Sequence, residues 1–171
     1  RNVVIGYNAG NAIDADTADS NVIIGFEAGV GGAAAMIGCI AIGDSALNST
    51  GGTASTGAIA IGHQSQTAMT VDGANTMIGH QSGMSLVTGY TNTALGYHTL
   101  KAAAVGESNN VAIGSHAMSA CDEGTAGGDI DHNVAIGRDA LKGGDMAGND
   151  RQLQGNIAIG SYALDGMGGY G

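Results

Sequence analysis

The sequence predicts an all-β chain wound as a parallel β-solenoid, a β-roll of about nine short coils, and three observations predict it. A unit of the form Asn-x-x-Ile-Gly recurs nine times, the interval between copies is only 17 to 23 residues, and the composition lacks the large side chains of an ordinary core. Glycine fills 32 of 171 positions, proline and tryptophan are absent, and Phe26 is the only phenylalanine. A compact globule of this size offsets chain entropy by burying several large aromatic and leucine side chains. Here Ala, Ile, Val and Met carry the apolar fraction, so the core must be thin and repeated many times.

The copies run in order as Asn2-Val3-Val4-Ile5-Gly6, Asn21-Val22-Ile23-Ile24-Gly25, Cys39-Ile40-Ala41-Ile42-Gly43, Ala58-Ile59-Ala60-Ile61-Gly62 and Asn75-Thr76-Met77-Ile78-Gly79. They continue as Asn92-Thr93-Ala94-Leu95-Gly96, Asn110-Val111-Ala112-Ile113-Gly114, Asn133-Val134-Ala135-Ile136-Gly137 and Asn156-Ile157-Ala158-Ile159-Gly160. Three residues after each glycine stands a small residue: Ala9, Ala28, Ala46, Ser65, Ser82, Thr99, Ala117, Ala140 and Ala163. The pattern is already running at Asn2 and still close at hand at Gly171, so residues 1–171 read as one repeat segment of a longer chain.

Each β-branched run is too short for a helix and is closed by a glycine that permits a sharp turn or a close backbone approach. A second short extended stretch and a polar loop complete the coil. Stacked at roughly 4.8 Å per rung, nine rungs make a rod of about 43 Å.

Strand alternation bears on assembly. The second and fourth positions of the unit share one face and are large and apolar, apart from Thr76 and Thr93. The third position faces the other way and reads Val4, Ile23, Ala41, Ala60, Met77, Ala94, Ala112, Ala135 and Ala158, so that face is dry as well. One face is then expected to line the coil, with the Ile-type side chains inside. The alanine face is expected to press on sister subunits, because a monomer would carry a continuous apolar stripe. The expected partner is the chain itself, as a parallel homotrimer.

Seven of the nine copies open on asparagine: Asn2, Asn21, Asn75, Asn92, Asn110, Asn133 and Asn156. Two readings fit. The amides form a ladder, each bonded to its equivalent one rung along, or asparagine simply suits the turn before a strand. Cys39 and Ala58 occupy the same slot in consecutive copies and would interrupt a ladder.

The nonapeptide Asn133 to Leu141, nearly repeated at Asn156 to Leu164, resembles the repeats of trimeric phage tail fibres, as does the stretch Thr93 to Met118. It is also similar to the β-roll heads of trimeric autotransporter adhesins. The resemblance covers essentially the whole chain and implies a trimer, a location outside the cell on a virion or cell surface, and attachment to a cell-surface glycan or protein receptor. It brings no conserved binding residue with it. The uneven spacing and acidic inserts depart from both families.

The rest of the sequence narrows the function. With 15 acidic against 5 scattered basic residues, the formal charge of −10 argues against nucleic acid as a partner. There is no run of about 18 apolar residues to insert in a membrane. Cys39 and Cys121 belong to no metal-ligand spacing. His63 and His80 follow the glycine in adjacent copies and should stack, as should His98 and His116 one position later; a solvated ladder is the plain reading, a metal site the sharper one.

The longest inserts, 119–132 and 142–155, contain Asp122, Glu123, Asp129, Asp131, Asp145 and Asp150. They are the candidate receptor-contact loops. Calcium is the one ligand such oxygen-rich loops would suit, but the tandem calcium-binding nonapeptide is not reproduced, and no cofactor is expected. Asn48-Ser49-Thr50 has the form of a glycosylation sequon. The final Gly166-Met167-Gly168-Gly169-Tyr170-Gly171 matches a dinucleotide fingerprint only in composition, with no strand and helix around it.

No nucleophile elbow, zinc-protease helix or phosphate loop occurs, so the chain is not expected to be an enzyme. The expected function is a structural and adhesive segment of an extracellular fibre. A self-assembling filament without a receptor is the rival reading. A glycan-cleaving tailspike, with carboxylates paired across rungs, comes third.

Overall fold

In the computed structural model the described residues are 1–11, 13, 16–31, 35–48, 55–70, 73–103, 105–121, 130–143 and 153–166. Among them there is no helix, and thirteen short strands carry the fold. Nine belong to the repeat: β1 (Val3–Ile5), β2 (Val22–Ile24), β4 (Ile40–Ile42), β6 (Ile59–Ile61), β7 (Thr76–Ile78), β8 (Thr93–Leu95), β9 (Val111–Ile113), β11 (Val134–Ile136) and β13 (Ile157–Ile159). They form one parallel sheet in sequence order, so that seven of the nine strands have a neighbour on both sides. Register is copy over copy, with Ala112 beside Ala94 on one side and Ala135 on the other. The eight intervals span about 38 Å at ~4.8 Å each.

The opposite wall is thinner. Strands β3 (Met36–Ile37) and β5 (Ser55–Thr56) pair in parallel, as do β10 (Ile130–Asp131) and β12 (Leu153–Gln154). Single bridges join Asp19 to Ile37 and Thr88 to Val105. From these walls Met36, Ser55, Ile130 and Leu153 point inward and are buried.

Between the walls the chain turns through left-handed backbone. Two columns of residues after the glycine have positive φ, including Asp139 (φ 52) and Leu141 (φ 44) in one copy and His98 (φ 55) and Leu100 (φ 48) in another. A left-handed conformation costs an L-residue about 1–2 kcal/mol. The rung-to-rung bonds offset it: Asp139 N–H donates to Ser115 O at 3.0 Å and Leu141 N–H to Ala163 O at 2.8 Å.

The expected assignment of faces is inverted. The third position of the unit is the interior one: Ile23, Ala41, Ala60, Met77, Ala94, Ala112 and Ala135 have no exposed surface. The Ile-type second and fourth positions lie outside, half-buried along the middle of the rod except at the exposed Leu95, and open at β1 and β13. The reason is room. The interior is one side chain deep, and the third position shares it with the residue six further on. The pairs read Val4/Gly10, Ile23/Gly29, Ala41/Leu47, Ala60/Gln66, Met77/Gly83, Ala94/Leu100, Ala112/Met118, Ala135/Leu141 and Ala158/Leu164, so every large member faces a small one. A Cβ added at Gly29 would lie 3.0 Å from Ile23 Cγ2. The alanines therefore suit close approach of the chain's own turn, not of a neighbouring chain.

Candidate functional site

Three columns run along the rod, and each follows from one slot of the repeat. The first is the glycine column, Gly6, Gly25, Gly43, Gly62, Gly79, Gly96, Gly114, Gly137 and Gly160. It is structural, and Gly114 shows why: at φ +121 an added Cβ would stand 2.6 Å from the carbonyl oxygen of Gly137 in the next copy.

The second is the asparagine slot, where the structure decides for the ladder. Asn92 Oδ1 accepts from Asn110 N–H at 3.0 Å and from Asn110 Nδ2 at 3.2 Å. Asn110 Oδ1 accepts in the same way from Asn133, and Asn133 Oδ1 from Asn156. From Asn21 to Asn133 each amide also donates across the interior to the opposite wall, as Asn110 Nδ2 does to Ile130 O at 2.6 Å. Asn21, Asn75, Asn92, Asn110 and Asn133 are buried with these bonds made.

The interruption falls at the expected copies. Cys39 keeps two of the ladder's bonds, its N–H donating to Asn21 Oδ1 at 2.8 Å and its thiol to Ser55 O at 3.3 Å. A thiol supplies no amide oxygen for the next copy, and Ala58 has no polar side chain. The amide ladder therefore runs as two segments, Asn2–Asn21 and Asn75–Asn156.

The third column is an exposed ridge just after the glycine. Tyr7 stacks on Phe26 with ring centroids 5.4 Å apart. Further along, His63 stacks on His80 at 5.0 Å and His80 on Tyr97 at 5.2 Å. His98 meets His116 edge to face at 5.2 Å, so that pair is adjacent without lying parallel. Burial first, then the positive charge of Lys101 and the neighbouring His116 and His80, hold the His98 imidazole below the usual histidine range. Arg138 lies over the Tyr162 ring at 5.5 Å. Among the described residues no group of three or more His, Cys, Asp or Glu is placed to hold a metal ion.

Of the six acidic residues in the long inserts, Asp131 is described. It lies in β10, and its Oδ1 accepts from Ser108 N–H at 2.6 Å, tying two copies together. Asp122, Glu123, Asp129, Asp145 and Asp150 lie outside the described residues, as do Ser49, Thr50 and 167–171. The side chains of Cys39 and Cys121 are buried in the interior. Desolvation, helped by the buried Glu107 nearby, pushes the Cys121 thiol up to about 12.

One column that the sequence placed inside is turned outward in the structure, the second and fourth strand positions. Two adjacent rows result: the fourth positions run unbroken from Ile24 through Ile78 and Leu95 to Ile136, while the second positions, from Val22 to Val134, break to threonine at Thr76 and Thr93. This apolar surface runs along the sheet, and no described element of the chain covers it.

Comparison with family models, with curated proteins and with solved structures returned no match. No helix among the described residues is long and apolar enough to cross a membrane.

Proposed function

We propose that the chain is a segment of a trimeric extracellular fibre, on a virion or a cell surface, whose rod carries adhesive loops. The observation that carries the reading is the outward row of Ile and Val. A flat apolar strip about 38 Å long and ~10 Å wide approaches the largest patches that monomers leave in water. Stacked strands keep both rows straight, so identical rods placed side by side present matching strips along their whole length. Three rods about one axis cover all three strips at once, and the strip then becomes the assembly's core.

The polar loops are left outward and repeated on each subunit. Repetition turns weak contacts with a glycan or protein receptor into avidity. The long inserts at 119–132 and 142–155 are the candidate loops for such contacts. Sedimentation equilibrium of the chain tests the assembly, with three times the monomer mass expected and a folded monomer overturning it. Binding to a glycan array or to whole cells then separates an adhesin from a purely structural filament.

A further inference from the structure

We propose that the level between β6 and β7 is an acid-sensitive seam, at which protonation of the stacked His63 and His80 loosens the rod while the runs on either side stay closed.

Independent features meet at this level. The interior divides here into two apolar clusters, one reaching from Ile23 to Met69 and the other from Met77 to Ala158. The amide ladder has no link here either, because Ala58 stands where Asn75 would find its partner. The slot filled by Leu47 one copy earlier holds Gln66, whose Oε1 is buried without a hydrogen-bond partner. Buried hydroxyls replace alanine at Ser65 and Ser82. Backbone pairing continues across the level, and Ser65, Thr67, Thr70 and Gln81 donate side-chain bonds across it, but the apolar cluster and the amide ladder are both broken here.

On the surface the same level is bridged by the His63 and His80 rings, 5.0 Å apart. Histidine is the side chain whose charge changes between pH 5 and 8. Two imidazolium ions at that separation repel, and opening of the level is the motion that relieves them. The surrounding charges favour that outcome. Asp44 holds the equivalent position one copy before His63, on the side away from the seam, and draws a charge on His63 away from His80. Tyr97 and His98 follow His80, with Lys101 and His116 beyond, so the positive charge on that side is not offset locally. Gln64 and Gln81, bonded to each other at 2.7 Å beside the pair, are neutral.

Hydrogen exchange of the whole chain at pH 7.5 and pH 5.0, corrected for intrinsic rates, tests the seam. Its reporters are Gly79 N–H, bonded to Ile61 O at 2.7 Å, and Gln81 N–H, bonded to His63 O at 2.9 Å. Gly43 N–H and Gly137 N–H, each bonded across other levels at 2.8 Å, are the controls. The expected result is a protection loss of about five- to tenfold at Gly79 and Gln81 in acid, with the controls little changed. The His63→Gln/His80→Gln double variant should abolish the loss. Raising the salt to about 1 M should suppress it in the unaltered chain, since the screening length falls to ~3 Å. An equal loss at all four amides, no loss, or a loss that survives both the double variant and high salt would overturn the proposal.

Discussion

The Cβ that Gly83 lacks would lie 2.7 Å from the sulfur of Met77. Where the third strand position is alanine, as at Ala135, the equivalent of Gly83 is a buried Leu141. This end of the interior is thus filled pair by pair, one large side chain to each pair. Gly83→Leu should overpack its level and destabilise by about 2–3 kcal/mol. Adding Met77→Ala should recover most of that, because Leu100 and Leu141 already adopt the left-handed backbone the new leucine needs. Thermal denaturation of the two single variants and the double variant measures the coupling. Additive losses would show that the pair does not share one space.

The asparagine ladder should be far more sensitive than its exposed neighbours. Asn110→Ala leaves Asn133 N–H and Nδ2 without their acceptor and Ile130 O without its donor, all inside the rod. At roughly 1–3 kcal/mol for each buried orphan, a loss of at least ~3 kcal/mol is expected. The preceding Asn109, exposed and at φ 59, should tolerate glycine with a change of about 0.5 kcal/mol or less. Chemical denaturation compares them, and a mild Asn110→Ala would mean that the ladder contributes little.

Two kinds of glycine can be told apart by alanine substitution. At Gly114 a methyl group would collide with the backbone of the next copy, and the φ of +121 is closed to L-residues. Gly114→Ala should therefore cost more than ~3 kcal/mol or prevent folding. Gly155 has φ +67 and open space around the added carbon, so Gly155→Ala should cost only the left-handed strain of about 1–2 kcal/mol. Melting temperatures that drop equally would show that conformation, not contact, fixes the column.

How far the sequence could be read depends on what each residue type encodes. The glycine column and the stacking of His63 on His80 were legible, because a parallel in-register stack places equal slots side by side; the ladder was one of two readings the asparagines allowed, with its break at Cys39 and Ala58 following if it formed. Which face looks inward was not. Alternation separates faces only when one is polar, and Val111, Ala112 and Ile113 are apolar on both. The signal that decides it lies in a second column, where Gly29 answers Ile23 and Leu47 answers Ala41. The opposite wall was foreseen only as an extended stretch, since pairs such as Met36–Ile37 are too short to carry a pattern.

The Cys121 thiol makes a prediction at alkaline pH. Its pKa is raised in the fold to about 12 from the usual 9.0. A raised value means that the folded chain holds the proton more tightly. The stability this contributes is complete below about pH 9 and is lost as pH rises from there toward 12. Folded protein at pH 8 should resist alkylation at Cys121 until the rod opens. In Cys121→Ala the alkaline fall in stability should flatten over that window, even though the variant starts lower for lost packing. Rapid alkylation of the folded chain would contradict the buried placement.

The inverted faces give the assembly its most direct test. Ile61 and Ile113 point outward from the middle of the long sheet, so lysine at either position leaves the interior untouched and adds a charge to the strip. In an isolated rod such a change lies in water and should cost about 0.5 kcal/mol or less. In a trimer three lysines converge near the axis without partners, and each buried charge costs several kcal/mol. Ile61→Lys and Ile113→Lys should therefore keep the β-rich circular dichroism of the parent chain while the sedimenting mass falls to that of a monomer. Ala60→Lys, one residue away on the buried face, should instead unfold the rod outright. If both isoleucine variants kept the parent's mass, the strip would not be where subunits meet.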